Sequence, residues 1–262
     1  MTEWNAAQYA KLSGLQAAMA GEVLSLLDLK GTERVLDVGC GSGKVTQEIA
    51  GRLSSGSVVG VDASAEMIAF ASGAFGPTVR PNLRFEVADA RRLSFREEFD
   101  LVLSFNALHW VPDQKLALQS IRSAMKPAGR AQLRLVPAGK RKSLESVIEE
   151  TRLSARWAGY FHDFRDPYLH LTAEQYRALA DQNGLYVDWV RTGDRAWDFE
   201  SRAAFVAFSS VTFVEWSQWL PERERLEFVN DALDRYAKVA ADSPKEENTF
   251  KFYQMDIALS RA

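Results

Sequence analysis

The chain has 262 residues, of which 47% are hydrophobic, 26% charged and 11% aromatic, and this composition is typical of a globular α/β protein with a sizeable core. Its 32 Lys and Arg residues nearly balance 35 Asp and Glu residues, so no broad basic surface is available for nucleic acid. The single cysteine, Cys40, excludes an intramolecular disulfide and a multi-cysteine metal site, and the longest apolar run, Ala203 to Phe208, is far shorter than the ~20 residues of a membrane helix. We therefore expect a cytoplasmic protein with no metal, membrane or nucleic-acid partner.

Short apolar runs alternate with helical stretches along the first half of the chain, a pattern that predicts βα units around a mostly parallel sheet. A leading helix is indicated by apolar residues at helical spacing, namely Leu15, Met19, Val23, Leu26 and Leu27. The predicted strands are 34–38, 57–61, 83–87, 100–105 and 131–136. Helices are predicted between them at 43–53, 64–74 and 114–125.

The pattern changes after about residue 137. It predicts mostly helix from 143 to 183, a strand at 185–190, an amphipathic helix at 222–240 and a final strand at 250–259. Fifteen of the 29 aromatic residues lie in residues 157–219, which we call the aromatic cover and expect to enclose a partly apolar small molecule. We predict one domain over 1–262, in which 1–136 form a ligand-binding core and 137–262 supply the cover and the last two strands.

A glycine-rich loop, Asp37-Val38-Gly39-Cys40-Gly41-Ser42-Gly43, follows the first predicted strand and precedes a helix. Gly39 and Gly41 permit a tight turn and let a ligand approach the backbone, and the start of the helix presents N–H groups. Taken alone, such a loop could serve packing only.

Acidic residues end the second and third predicted strands. The carboxyl ends of parallel strands border one crevice, where Asp62 is suited to ribose hydroxyls and Asp89 to an adenine amino group. For either residue alone, a turn or helix-cap role is the alternative. A nicotinamide dinucleotide would require glycine where Lys44 stands and would leave Asp89 without a role.

The loop and its two acids together resemble the motifs of class I S-adenosylmethionine-dependent methyltransferases. The resemblance implies a Rossmann-like seven-stranded mixed sheet with helices on both faces, the last strand antiparallel, and S-adenosylmethionine as cofactor. The positions that it implies for cofactor binding are Tyr9, Asp37, Gly39, Gly41, Asp62, Ala63, Met67, Asp89, Ala90 and Asn106.

The segment Ser104-Phe105-Asn106-Ala107-Leu108-His109-Trp110-Val111-Pro112-Asp113 resembles the S-F-x-x-L-H-W-V run of juvenile-hormone-acid methyltransferases and the N-A-x-x-x-W-x-P-D run of trans-aconitate methyltransferases. The amino-terminal pattern W-N-x-x-x-Y-x-x-x-S-x-x-Q, which ends at Gln16, is similar to the opening of the same group. Because these relatives methylate a carboxylate, the resemblance implies a small organic acid as acceptor. It places Gln16 and Trp110 beside the acceptor carboxylate, with Tyr9 over the methionine end of the cofactor.

Several alternatives remain open at this stage. Methylation of carbon, nitrogen or a phenolic oxygen would need a base, for which His109 is the candidate, whereas a carboxylate acceptor needs none and uses His109 at most as a donor. A non-catalytic cofactor-binding module with a partner-docking aromatic face is a further alternative. The structural alternatives are that Trp110 is a core residue, that His109 caps a turn and that Gln16 is a solvated helix residue. Arg134, a cation in an apolar strand, is predicted to snorkel to the sheet edge rather than to meet an acidic substrate.

Overall fold

A computed structural model describes residues 13–262, without the side chains at positions 13, 14, 16 and 17. The helices are α1 (Ser13–Leu26), α2 (Lys44–Arg52), α3 (Ala65–Phe75), α4 (Gln114–Ala124), α5 (Leu144–Arg152), α6 (Ala173–Gln182), α7 (Arg202–Thr212), α8 (Val214–Ser217) and α9 (Glu222–Ala240). The strands are β1 (Arg34–Val38), β2 (Ser57–Asp62), β3 (Leu83–Val87), β4 (Phe99–Phe105), β5 (Met125–Leu135), β6 (Leu185–Asp198) and β7 (Thr249–Arg261).

All seven strands form one sheet in the order β3-β2-β1-β4-β5-β7-β6. Strands β1 to β5 pair in parallel, whereas β7 is antiparallel to both of its neighbours. The predicted Rossmann-like seven-stranded mixed sheet is thereby confirmed. The register places the carboxyl ends of β1, β2 and β4 side by side, and the loops that leave these ends border the crevice.

Helices cover both faces of the sheet, which explains why its parallel strands are continuously apolar. Side chains of β1 alternate between the two faces: Val35 packs with Ile49 of α2, and Leu36 packs in a cluster with Leu118 of α4. A third buried cluster lies mainly in the second half of the chain and includes rings of the cover such as Trp157, Phe205 and Trp216. None of the helices in the described part of the chain combines the length and the apolar character that a membrane crossing requires.

Three predicted elements differ from the structure. The stretch predicted as mostly helical from 143 to 183 contains α5 and α6. Residues 153–172 between these helices form only a short 3₁₀ turn and irregular chain, because individual rings such as Trp157 anchor them in the cover. Strand β5 begins at Met125 rather than at the predicted residue 131, and its pairing to β4 is irregular between Phe99 and Leu101. Strand β6 extends to Asp198 because β7 pairs with it along its whole length.

Candidate active site

The glycine loop after β1 contains three residues with left-handed backbone, Gly39, Gly41 and Gly43. Gly39 has φ +77° and Gly41 has φ +52°, and the N–H of Gly39 donates to the carbonyl of Val61 at 2.8 Å. A Cβ on Gly39 would lie 2.2 Å from the Cβ of Ala107, whereas a Cβ on Gly41 would meet nothing within 4 Å. The fold itself therefore requires glycine at position 39, while position 41 faces open space at the crevice.

Asp62, at the end of β2, supports this loop from the next strand. Its Oδ2 accepts from the N–H of Gly41 at 2.9 Å, and its Oδ1 accepts from the N–H of Ser64 at 2.9 Å. Ala63 is half-buried in the turn to α3, and Met67 in the first turn of that helix is buried. The predicted positions around the second strand end are thus adjacent in space, although their binding role stays a prediction.

Asp37 lies behind the glycine loop and is 3% exposed. Burial raises the pKa of its carboxyl to about 6, the hydrogen bond from the Thr46 hydroxyl opposes this rise, and the charge of Asp62 adds to it. The Thr46 Oγ1 lies 2.7 Å from the Asp37 Oδ2. Two carboxyl groups behind one loop give this end of the crevice a negative potential, which favours a cationic ligand.

Asp89 and Ala90 lie at the end of β3, where Asp89 caps the 3₁₀ turn Ala90–Arg92. Its Oδ1 accepts from the N–H of Arg91 at 2.9 Å, and the Arg91 guanidinium binds both carboxylate oxygens. This ion pair lowers the pKa of Asp89. Asp89 therefore has the cap role that was the alternative to adenine binding. Its contact with adenine remains a prediction, in which the adenine amino group and Arg91 would share the carboxylate.

Asn106 follows β4 with φ +56°, an uncommon conformation for a residue other than glycine. Its N–H donates to the carbonyl of Arg134 at 2.8 Å, and its side-chain Oδ1 is buried without a hydrogen-bond partner. An unpaired buried acceptor costs free energy, and a ligand N–H would remove that cost. Asn106 and the open space beside Gly41 therefore fit a cofactor that carries an amino group.

His109 and Trp110 form the 3₁₀ turn Leu108–Trp110 directly after Asn106. The His109 side chain is 4% exposed, and its Nδ1 accepts from the N–H of Val136 at 3.2 Å. Burial and, to a smaller extent, the nearby His170 lower the pKa of this imidazole to about 3. His109 is consequently neutral at physiological pH with its proton on Nε2, a state that donates a hydrogen bond but is a poor base.

Rings of the aromatic cover surround Trp110. The centroid of Tyr168 lies 4.7 Å from that of Trp110 in an edge-to-face arrangement, and Trp216 and Phe213 lie at 6.2 and 6.5 Å. The sequence analysis missed both Tyr168 and the buried carboxyl of Glu145. Aromatic enrichment identified the region that contains Tyr168 but did not show which rings contact Trp110. The chemical arrangement is an apolar wall with a few polar groups, as in small-molecule sites.

The rings of the cover pack mainly against one another, since Trp157, Trp216 and Phe205 are fully buried. This packing disagrees with the alternative of an aromatic face presented to a partner protein. Leu15 and Met19 of α1 also pack against this cluster, which places α1 beside the cover. Tyr9 lies outside the described residues, and of Gln16 only the backbone is described, so both site assignments stay predictions.

The expectation that Arg134 snorkels to the sheet edge is wrong. Its side chain is 1% exposed and forms two hydrogen bonds with Asp256 of β7, at 2.6 and 3.0 Å, and a third with Glu22 of α1 at 3.3 Å. The antiparallel pairing of β5 with β7 places Asp256 directly opposite Arg134. The charge is therefore neutralised inside the protein.

The comparisons with known proteins agree with this geometry. Residues 35–129 match the sequence model of the family described as a methyltransferase domain. The trans-aconitate 2-methyltransferase of Streptomyces avermitilis is 30% identical over 67% of each chain, and that of Shigella dysenteriae serotype 1 is 27% identical over 95% of this chain and 93% of the relative.

Among solved structures, Haemonchus contortus phosphoethanolamine N-methyltransferase 2, in complex with phosphomonomethylethanolamine and S-adenosylhomocysteine, superposes with a TM-score of 0.64 and 16% identity. The match covers 98% of this chain and 57% of that one, and it shows the fold. With the sheet order and the glycine loop, these findings confirm the predicted cofactor and class: the chain belongs to the class I S-adenosylmethionine-dependent methyltransferases, enzymes that take their methyl group from S-adenosylmethionine.

Proposed function

We propose that this enzyme transfers the methyl group to a carboxylate oxygen of a small, partly apolar organic acid. The state of His109 carries the proposal: its Nδ1 is occupied by the N–H of Val136, and its pKa is about 3. Such an imidazole is too weak a base to deprotonate a phenol or an ammonium group. A carboxylic acid, with a pKa of about 4, is already an anion at neutral pH and needs no base. The similarity to two proteins named trans-aconitate 2-methyltransferase also supports a carboxylate acceptor.

The cofactor residues in this proposal are those that border the strand ends. The ribose is bound by Gly39, Gly41 and Asp62. The adenine is bound by Ala63, Met67, Asp89 and Ala90, and the methionine part by Tyr9, Asp37 and Asn106. When bound, S-adenosylmethionine supplies an electrophilic sulfonium methyl group. The two carboxyls behind the loop complement this positive charge, and the unpaired Oδ1 of Asn106 accepts from the amino group.

The acceptor side then needs only to position its substrate. Trp110 and Gln16 donate hydrogen bonds to the acceptor carboxylate, and the Nε2 of His109 adds a third donor. The rings of Tyr168 and Trp216 keep water away from the carboxylate, which strengthens its interaction with the sulfonium. Orientation and desolvation together supply the acceleration: residues 1–136 bind the cofactor and donate to the acceptor carboxylate, and residues 137–262 enclose the acceptor.

Transfer of labelled methyl to a panel of monocarboxylic acids, phenols and amines tests this proposal. We expect methyl esters as products. His109→Asn keeps an acceptor for the N–H of Val136 and removes Nε2, so it should lower kcat/KM only about 2–10-fold, the effect of one lost hydrogen bond. Loss of a general base would cost about 10²–10⁴-fold. Trp110→Phe should lower kcat/KM by more than His109→Asn does, and label found only in phenols or amines would reject the proposal.

One observation favours a second candidate, methylation of nitrogen or a phenolic oxygen. Burial raises the pKa of Glu145 to about 7, despite opposing hydrogen bonds that include one from Tyr168, so this carboxyl has the proton affinity of a general base. In that case Glu145→Gln would lower kcat by about 10²–10⁴-fold and remove the acid limb of the pH profile. Carboxylate methylation predicts no such limb.

A further inference from the structure

The buried carboxyl of Glu145 lies in the first turn of α5, on the cover side of the crevice, and has no role in the proposed methylation of a carboxylate. Its side chain is 6% exposed. The neighbouring charge that acts on it belongs to a second acid, Asp166, rather than to a lysine or arginine. Ser143 and Tyr168 donate toward the carboxyl, and these hydroxyls offset only part of the cost of burial.

Tyr168 connects this carboxyl to the site around Trp110. Its ring contacts Trp110 at 4.7 Å, His109 at 4.9 Å and His170 at 4.2 Å between centroids. The Nε2 of His170 is buried without a hydrogen-bond partner. Through Tyr168, the unpaired Nε2 of His170 and the buried carboxyl of Glu145 are thus connected to Trp110 within an otherwise aromatic wall.

These groups select the charge of a ligand. A buried carboxyl beside another acid repels an anion and attracts a hydrogen-bond donor, and aromatic faces add an attraction for a cation. A second carboxylate on the acceptor would therefore be disfavoured here. Arg152, the cation that acts on Asp166, is paired with Glu149, and Arg134 is engaged by Asp256 and Glu22.

We propose that Glu145, Tyr168 and His170 form a second polar subsite, which binds a hydroxyl or ammonium group at the end of the acceptor remote from the methylated carboxylate. The acceptor is then a monocarboxylic acid with a distal hydrogen-bond donor rather than a polycarboxylate. The identity of the methylated group rests on the proposed function, but the donor subsite does not.

The first experiment compares straight-chain acids of equal length that end in methyl, hydroxyl, ammonium or carboxylate. We expect the hydroxyl or the ammonium acid to exceed the methyl-terminated acid at least about 10-fold in kcat/KM, the worth of one charge-assisted hydrogen bond, and the dicarboxylate to rank last. The better of the two donor acids identifies the group that the subsite takes.

Glu145→Gln should reduce that preference to within about 3-fold, with the change mainly in KM, whereas loss of a general base would appear in kcat. Glu150→Gln, on the exposed side of the same helix, is the matched control and should retain the preference. Tyr168→Phe keeps the ring but removes the hydroxyl, and it tests the subsite independently should Glu145→Gln fail to fold. Equal rates for all four acids, or an unchanged preference in both variants, would overturn the subsite.

Direct binding separates this proposal from the proposed function. Calorimetric titration of a straight-chain alcohol and amine, which lack any carboxylate, into the protein with S-adenosylhomocysteine should show affinity that falls about 10-fold in Glu145→Gln. If that difference is found while no acid is methylated, the subsite stands and carboxylate methylation is rejected. If esters form but the alcohol and the amine bind both proteins equally, the subsite is rejected.

Discussion

The glycine loop and the aromatic cover hold their functional groups in place by different means. In the loop, the backbone sets the geometry: Gly39 and Gly41 adopt left-handed φ angles, and an N–H of the loop bonds to the neighbouring strand at Val61. In the cover, side chains set it. The buried indoles of Trp157 and Trp216 donate to Asp231 at 2.8 Å and to Glu149 at 3.1 Å, so they are fixed by partners on other helices.

This difference corresponds to the two tasks in the proposed function. There, a cofactor of constant structure is held mainly by the backbone of the loop. The proposed acceptor site is formed by rings whose positions depend on long-range packing, so we expect substitutions there to change the shape of the site and the stability of the protein together. The two regions should therefore respond differently to mutation.

The largest effect is expected from Trp157→Ala. Removal of this fully buried ring and its hydrogen bond to Asp231 should lower the free energy of unfolding by about 3–5 kcal/mol. The affinity of the folded protein for S-adenosylhomocysteine should stay within about 2-fold, because the strand-end loops are unchanged. Chemical denaturation and calorimetry measure the two quantities. Trp219→Ala, at a 42% exposed residue of the same region, is the control and should cost at most about 1 kcal/mol.

Gly39→Ala should disrupt the glycine loop. The added methyl meets the Cβ of Ala107 and the residue must keep φ +77°, so we expect a loss of about 2–4 kcal/mol in the free energy of unfolding together with loss of cofactor binding. Gly41→Ala has room for its methyl group and should cost only about 1 kcal/mol. That second variant should still bind the cofactor more weakly, since the methyl enters the open space at the crevice. Equal stability losses for the two variants would contradict this account of the loop.

The same contrast explains how far the sequence could predict the structure. Asp37, Gly39 and Gly41 belong to a single loop whose form follows from nearby residues. Asp62 ends β2 and Asn106 follows β4, the two strands that flank β1, so their proximity to the loop follows from the parallel sheet. Periodicity located each strand of the described sheet but misjudged the start of β5 and the end of β6, because the length of β6 depends on its pairing with β7. For Arg134, the cation in an apolar strand, the sequence contains no indication of its ion-pair partner.

Arg134 and Asp256 are 122 residues apart in the chain, and no local pattern links them. The same holds for Tyr168, whose contact with Trp110 depends on an irregular segment that no helical or strand periodicity describes. Glu145 was missed for a related reason: in sequence it reads as an ordinary acid in a first helical turn, and only the packing of the cover shows it to be buried.

His109 lies between the two regions, and its pH response tests how firmly it is enclosed. The folded-state pKa of about 3 is below the unfolded value of about 6.5, so the folded protein binds fewer protons between these values and loses stability as the pH falls through this range. Asn does not titrate. The stability advantage of wild type over His109→Asn should thus shrink by about 2 kcal/mol between pH 6.5 and 4.5, measured by urea denaturation. A difference that is constant with pH would show that the imidazole is solvated.

The smallest effect is expected from Thr46→Val, which removes the hydroxyl that donates to Asp37 from nine residues away. The lost hydrogen bond should lower the free energy of unfolding by about 1 kcal/mol and raise the pKa of Asp37 above its present value of about 6. Because the ionised carboxyl favours a cationic ligand, the affinity for S-adenosylmethionine should fall as Asp37 is protonated, and this fall should begin at a higher pH in Thr46→Val than in wild type. Thr46→Ser retains the hydroxyl and should keep the wild-type midpoint in titrations followed by calorimetry. An unchanged midpoint in Thr46→Val would mean that backbone geometry alone governs the cofactor side, whereas the expected shift shows that a local side-chain contact tunes its charge.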